Sequence, residues 1–290
     1  MGSMPDQNIG KGTVFSYKVN EVFYDENAQD VLTYSATLKD GSALPAWLNF
    51  NALTHTFSGV PPTYSTIGVR VTARDPDGLT AFDDFDFITK QNNITGTSGN
   101  DFLNGTINDD VINGLEGDDE LYGSLGNDIL DGGTGNDGMS GGAGADTYLF
   151  GKNSGNDIIV DNDNGQGVGD VDVVLFDAGI TPTDVTVKRA SMTDDLVLTI
   201  AGNANTLTIK NYFYNEGVNS YNIEKIQFAD ATVWGIDTIK AKAIIPTSYD
   251  DFIVGYASND ILDGGLGNDH IYGNGGDDVL FGGAGNDLLD

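Results

Sequence analysis

Residues 96–149 read GTSGNDFLN, GTINDDVIN, GLEGDDELY, GSLGNDILD, GGTGNDGMS and GGAGADTYL, six consecutive nine-residue units with no slip. Position one is always glycine: Gly96, Gly105, Gly114, Gly123, Gly132 and Gly141. Position four is Gly99, Gly117, Gly126, Gly135 and Gly144, with Asn108 the exception. Position six is always aspartate: Asp101, Asp110, Asp119, Asp128, Asp137 and Asp146. Position eight is a large side chain: Leu103, Ile112, Leu121, Leu130, Met139 and Tyr148. Glycine, and next best asparagine, accepts the positive φ of a tight turn. Each unit therefore reads as a six-residue turn ending in a carboxylate, then a three-residue strand with one buried side chain. Two units make one coil of a flattened parallel roll. Stacked coils set the aspartates in a column along each edge, roughly 4.8 Å apart.

Carboxylates that close repel one another, and a hard cation relieves the repulsion. Calcium takes roughly six to eight oxygens from carboxylates and backbone carbonyls. The glycine turns leave such carbonyls free, so each ion is expected between turns n and n+2. The unit resembles the RTX calcium-binding nonapeptide, G-G-x-G-x-D-x-U-x. A second run of five units spans residues 246–290, with Asp251, Asp260, Asp269, Asp278 and Asp287 at position six and Ile253, Leu262, Ile271, Leu280 and Leu289 at position eight. Its turns carry Gly264, Gly267, Gly273, Gly276, Gly282 and Gly285, but Tyr249 and Ser258 replace the position-four glycine in its first two units. His270 reads as a solvent-facing strand residue. After Leu149 the register slips by one, and residues 151–159 form a degenerate further unit with Asp157 in the ligand position.

The 290 residues include 44 acidic and 13 basic side chains, a net charge of −31, which argues against nucleic acid and anionic membranes as partners. It also predicts poor folding until cations neutralise the chain. Cysteine is absent, so disulfides and thiolate-bound metals are excluded. No stretch is apolar enough to insert in a membrane. No signal peptide is evident, and Met1-Gly2-Ser3-Met4 reads as an expression remnant. The stop at Asp290, on the end of a unit, reads as a cut from a longer protein.

Residues 8–91 alternate in short β-rich runs beginning near Thr13 and at Val31, His55, Ile67 and Ala81, separated by turn signals such as Lys39-Asp40-Gly41-Ser42 and Asp75-Pro76-Asp77-Gly78. This spacing predicts an antiparallel β-sandwich. The stretch around Leu44-Pro45-Ala46-Trp47-Leu48-Asn49-Phe50 and Phe57-Ser58-Gly59-Val60-Pro61 resembles the dystroglycan-type cadherin-like domain of bacterial surface proteins. The resemblance implies a core role for Trp47. It also implies a calcium pole formed by Asp25, Asn27 and Asp30 with Asp75 and Asp77, against solvated turns as the alternative.

Residues 160–245 show period-two runs at 170–176, 185–188, 196–200, 207–212, 223–228 and 232–236. They resemble the haemolysin-type calcium-binding-related segment that alternates with RTX arrays. An open roll end exposes strand edges that invite aggregation, so this segment is expected to cap one roll and join it to the next. The alternative is an aromatic ligand surface of Tyr212, Phe213, Tyr214 and Tyr221. The expected architecture is all-β: a cadherin- or Ig-like sandwich at 8–91, a β-roll at 94–159, a capping segment at 160–245 and a second β-roll at 246–290.

No nucleophile, phosphate-loop or zinc motif accompanies His55 or His270, so the chain is not expected to be an enzyme. The resemblance as a whole is to the extracellular region of a large secreted or surface-bound bacterial RTX adhesin. It implies several calcium ions, calcium-driven folding outside the cell, and a monomer beside other modules of the same protein. A host-cell or surface glycan or peptide is the partner it implies. The other reading is a calcium-stiffened spacer and secretion-assisting module of an RTX toxin or hydrolase, or the carbohydrate-binding appendage of such a hydrolase.

Overall fold

The computed structural model describes residues 3–12, 14–19, 23–24, 31–161, 170–202, 205–217 and 223–290. The chain divides into two compact units, Met1–Asn92 and Asn93–Asp290.

The first unit is a two-sheet sandwich. One sheet orders the strands Gln7–Asn8, Thr80–Thr89, Ser65–Arg74 and Thr33–Leu38; the other orders Phe15–Lys18, Thr56–Gly59 and Leu48–Asn51. Alternation turns Val69, Val71, Phe85 and Phe87 inward, onto Phe57 and Leu48 of the second sheet. The rings of Phe57 and Phe87 meet edge to face at 5.2 Å. The strands pair antiparallel except Gln7–Asn8, which runs parallel to Phe87 and Ile88. Trp47 is half-buried and packs on Phe15, as a core residue would. Asp75-Pro76-Asp77-Gly78 is a hairpin turn: Leu79 N–H donates to the Asp75 carboxylate at 2.8 Å, and Gly78 N–H to the Asp75 carbonyl at 3.2 Å. The Asp75 carboxylate thus holds its own turn, and Asp77 is exposed. Asp25, Asn27 and Asp30 lie outside the described residues.

In the second unit, two seven-stranded sheets enclose one core. One orders Asn92–Thr95, Asp110–Asn113, Ile129–Asp131, Thr147–Phe150, Val173–Phe176, Lys225–Gln227 and Val233–Trp234. The other orders Phe102–Asn104, Glu120–Leu125, Gly138–Ala143, Asn156–Ile159, Thr206–Ile209, Leu196–Ile200 and Val185–Arg189. Repeat strands pair in parallel with an 18-residue offset, Val111 beside Ile129 and Leu103 beside Leu121, so two units make one coil. The offset becomes 20 at Asp157, where the register slips.

Residues 160–245 extend these same sheets. Val173–Phe176 and Lys225–Gln227 add to one in parallel, and Thr206–Ile209 adds to the other. Antiparallel strands then end both: Leu196–Ile200 and Val185–Arg189 on one side, Val233–Trp234 on the other. Phe150, Phe176, Phe228 and Trp234 fill the capped end, with Phe176 stacked on Phe228 at 5.1 Å. The wholly β reading of this stretch missed one helix, Ile236–Ala243. Ile239 and Ala243, four residues apart, face the core while Asp237, Thr238 and Ala241 are exposed. Eight residues hold too little helical period to stand out beside flanking strands.

The second roll pairs Phe252–Val254, His270–Tyr272 and Leu288–Leu289 in one sheet and Ile261–Asp263 with Val279–Phe281 in another. Ile253, Leu262 and Ile271 form its small core.

Candidate metal centre

Beyond the first coil of each edge, the carboxylate in the position-six column is pinned by one oxygen. Oδ1 of Asp128 accepts the backbone N–H of Asp110, one coil earlier, at 2.8 Å. Asp137 accepts from Asp119 at 2.8 Å, Asp146 from Asp128 at 2.7 Å and Asp157 from Asp137 at 3.0 Å. The second roll repeats the bond, Asp269 accepting from Asp251 at 2.9 Å, Asp278 from Asp260 at 2.8 Å and Asp287 from Asp269 at 3.0 Å. The other oxygen, Oδ2 of Asp119, Asp128, Asp137, Asp157 and Asp269, is buried and meets no hydrogen-bond donor among the described residues. A buried carboxylate oxygen without a partner is costly, so a partner of positive charge is called for.

The position-one glycines show where that partner fits. A Cβ on Gly114 would fall under 3.0 Å from both Asp119 Oδ2 and the Gly132 carbonyl oxygen. On Gly123 it would meet Asp128 Oδ2 and the Gly141 carbonyl, and on Gly264 Asp269 Oδ2 and the Gly282 carbonyl. The missing side chain leaves a cradle between a carboxylate and a carbonyl. This corrects the expectation that position one needs positive φ. Positive φ falls instead on positions two and four, as at Leu115 (82°), Ser124 (85°) and Gly135 (146°). At Gly135 a side chain would also run into the Gly117 carbonyl. The donors are all hard oxygens, which fits calcium. Among the described residues no three His, Cys, Asp or Glu side chains converge on one point, so the cradles mix carboxylate with main-chain carbonyl. Asp119, Asp128, Asp137, Asp157 and Asp269 are the side chains that would hold the ion, whose contribution is to neutralise the column.

Protons compete for the same oxygens. Burial, reinforced by the neighbouring Asp146, Asp110 and Asp109, pushes the Asp128 carboxyl up to about 8. Burial likewise raises Asp157 to about 8 and Asp137 to about 6.

The first coil on each edge differs from the rest. Asp101 Oδ2 accepts Thr97 N–H (2.6 Å) and Oγ1–H (2.9 Å), and Asp110 Oδ2 accepts the same pair from Thr106 at 2.6 and 3.0 Å. Asp251 Oδ2 accepts both groups of Thr247, while its Oδ1 meets Lys188 Nζ at 2.8 Å. Asp260 Oδ2 accepts Tyr256 N–H at 2.6 Å. The sequence set apart only the units of Asp251 and Asp260, for want of a position-four glycine; in the structure these two, and Asp101 and Asp110 as well, have their second oxygen engaged. For Asp101, Asp110 and Asp251 the signal was present, since β-branched threonine at position two resists the positive φ found there in later coils. Asp278 and Asp287 are only half-buried.

Three features escaped the sequence reading. Position five forms a second ladder: Asn100 Oδ1 accepts Asp118 N–H, Asp109 accepts Asn127 N–H and Asp118 accepts Asn136 N–H, at 2.8–3.0 Å. Its signal is Asn or Asp at that position in every unit of the first run except the last, which has Ala145. The carboxylate column also continues past the repeats, Asp146 N–H donating to Asp172 Oδ1 and Asp172 N–H to Glu224 Oε2, each at 2.7 Å. Burial and the facing Asp161 carboxyl push Asp172 far up, to about 10. Finally, His270 packs between Phe252 and Tyr272 and shares a 3.2 Å hydrogen bond with the Tyr272 hydroxyl.

The aromatic platform is a further correction. Tyr212 and Phe213 are 0% and 2% exposed and belong to the core. Tyr214 is exposed, and Tyr221 lies outside the described residues. Alternation about Tyr212 suits a core as well as a surface, so the pattern alone did not separate the two.

Residues 91–121, 113–148, 247–271 and 254–289 match the model of the RTX calcium-binding nonapeptide repeat. Both rolls are RTX calcium-binding repeats. Residues 195–238 of this RTX chain match the haemolysin-type calcium binding protein related domain, and residues 2–90 match a putative Ig domain. None of these modules is catalytic. The iron-regulated protein FrpA of Neisseria meningitidis serogroup C is 35% identical over 118 residues, 41% of this chain. The matched part is 10% of that relative's length. A solved structure, the AlgE6R3 subunit from the Azotobacter vinelandii mannuronan C5-epimerase, is 27% identical with a TM-score of 0.34, covering 47% of this chain and 82% of that one. Among the described residues no helix is long and apolar enough to cross a membrane.

Proposed function

We propose that this RTX chain is a calcium-gated folding module of a secreted or surface-bound bacterial protein. Where free calcium is scarce, a chain of net charge −31 stays open and passes a type I secretion channel. Outside the cell calcium fills the cradles and the rolls close. The observation that carries this reading is the row of buried aspartate oxygens without donors at Asp119, Asp128, Asp137 and Asp157. Extracellular calcium modules have Kd values of about 10⁻⁴ to 10⁻³ M. At ten times Kd each site adds roughly 1.4 kcal/mol. Several coupled sites supply much of a usual stability of about 5–15 kcal/mol. The test is circular dichroism through a calcium titration. Asp128→Ala should raise the calcium midpoint for folding of the first roll several-fold and leave the Ig-like sandwich folded. Rolls that melt identically in calcium and in chelator would refute the reading.

Adhesion through glycan or peptide recognition is the second reading, and one surface favours it. Phe102 and Tyr122 stand side by side, 5.2 Å apart, on the outer face of the first roll, over a shallow groove lined by Asn104, Ser124, Ser140 and Val160. An array of glycans and peptides, probed in calcium and in chelator, tests it. A hit lost in Phe102→Ala and Tyr122→Ala supports recognition at this face. A folded fragment with no hit leaves the chain a calcium-stiffened spacer between other modules.

A further inference from the structure

At the capped end of the first roll the cradle is built differently. Met139 pairs with Ile159, and Val160 N–H donates to the Met139 carbonyl at 2.9 Å. Counting on along this register sets Asp161 beside Gly141. On the facing sheet Tyr148 pairs with Val174, which sets Asp172 beside Asp146. Asp161 thus stands where the repeat has its position-one glycine, and Asp172 where it has its position-six aspartate. A Cβ at Gly141 would point straight at Asp146 Oδ2. By the same geometry the Asp161 side chain fills the cradle in front of Asp172, and the two carboxyl groups come within hydrogen-bonding reach.

We propose that Asp161 and Asp172 together hold one further calcium-like divalent cation, in a two-carboxylate site outside the nonapeptide repeats. Both side chains are 1% exposed. Asp161 Oδ1 accepts the Tyr148 hydroxyl at 2.8 Å and Gly142 N–H at 3.4 Å. Its Oδ2 is buried and meets no hydrogen-bond donor among the described residues. Asp172 Oδ1 is held by Asp146 N–H, and Glu224 stands behind it on the Asp172 N–H. Acceptor therefore faces acceptor inside the core, and two such carboxyls cannot both ionise unless a cation lies between them. Other buried acids near the cap have a cation in the chain: Lys210 meets Asp195 at 2.9 Å, and Lys188 meets Asp251. Among the described residues neither Asp161 nor Asp172 makes such an ion pair. All the oxygens are hard donors, which selects calcium over softer metals. A site here would pin the last repeat coil to the first strand of the cap.

The test counts calcium ions on the full chain by native mass spectrometry at neutral pH. Asp161→Asn and Asp172→Asn keep side-chain size and remove only charge. Each should bind one ion fewer than the parent, and the double variant also one fewer rather than two, because both residues serve the same ion. An unchanged count in either single variant would overturn the proposal and leave a carboxyl pair sharing a proton. Should both variants fail to fold, infrared spectra of the unaltered chain decide. Saturating calcium should leave no protonated-carboxyl stretch at neutral pH, and a residual band worth one carboxyl would overturn the site. The inference requires only that the rolls bind calcium. Failure of that premise would show separately, as a parent chain that binds no ions.

Discussion

The two rolls are written in the same nine-residue unit and are enclosed to different depths. In the first, Ile112, Leu121, Leu130 and Tyr148 are fully buried between seven-stranded sheets. In the second, Ile253, Leu262 and Ile271 are buried, Leu280 is only half-buried and Leu289 is 44% exposed. The carboxylates follow the apolar side chains. Among the described residues, Asp119, Asp128, Asp137 and the equivalent Asp157 of the first roll have a donorless buried Oδ2, and in the second roll Asp269 does. The units GSLGNDILD and GGLGNDHIY share the turn G-x-L-G-N-D and an aliphatic residue at position eight. Residues 246–290 form sheets of three and two strands, against seven strands in each sheet of the first roll. A unit in a solenoid is completed by its neighbours, so core burial and metal cradles rise and fall together.

Chelation should break the comparison most visibly. As free calcium falls, amide hydrogen exchange should lose protection across residues 252–289 first and across 110–176 at several-fold lower calcium. Simultaneous loss would mean the two rolls fold as one cooperative body. Core truncation comes next. Leu121→Ala should cost about 2–5 kcal/mol in saturating calcium. Leu280→Ala, at a half-buried site, should cost distinctly less by thermal or denaturant melting, and equal costs would refute the difference in enclosure.

The smallest effect is the dependence on pH, and it has opposite signs in the two rolls. Asp128 and Asp157 have folded values near 8 and Asp137 near 6, all above the unfolded value of about 3.9. The metal-free fold therefore binds more protons than the unfolded chain. Its stability from these groups is full below about pH 4 and is lost as pH rises through about 6 to 8. Calcium must displace those protons, so its own stabilising effect grows over the same range. At Asp251 burial pushes the carboxyl up, but the Lys188 ammonium and the Thr247 donors outweigh it and hold the group below its ordinary value. That contribution is present at neutral pH and is lost on acidification. In chelator, then, any first-roll structure that protonation restores should be present near pH 5 and gone by about pH 8.5, while acid should loosen the Lys188–Asp251 contact at the start of the second. First-roll structure in chelator that grows with pH, read by circular dichroism, would contradict this.

Much of the site was legible because a fixed period in sequence becomes a fixed place in a roll. Asp128 and Leu130 could be assigned to the edge and the core from their positions in the unit alone. The strands of the cap were legible from alternation, Leu196–Ile200 with its ends in place. Less could be said where two placements share one pattern. Tyr212 in the core and Tyr212 on a surface alternate alike. Thr106 marked a starting coil, but its meaning needed the hydrogen bond to Asp110. Position-one glycine suggested a turn, whereas the coil above it shows that the missing Cβ makes room for a ligand.

The sequence by itself determined the unit, the two-unit coil, the chemistry of the column and its demand for a hard cation. These follow from the nature and spacing of residues only nine apart. The tertiary structure decided which carboxylates are left without a donor, how deep each roll is enclosed, and that Asp161 meets Asp172 across the end of the first roll. Those outcomes depend on which coil lies above and below a residue. That is settled by packing between segments eighteen or more residues apart, where burial and hydrogen-bond satisfaction are properties of the stack rather than of the unit.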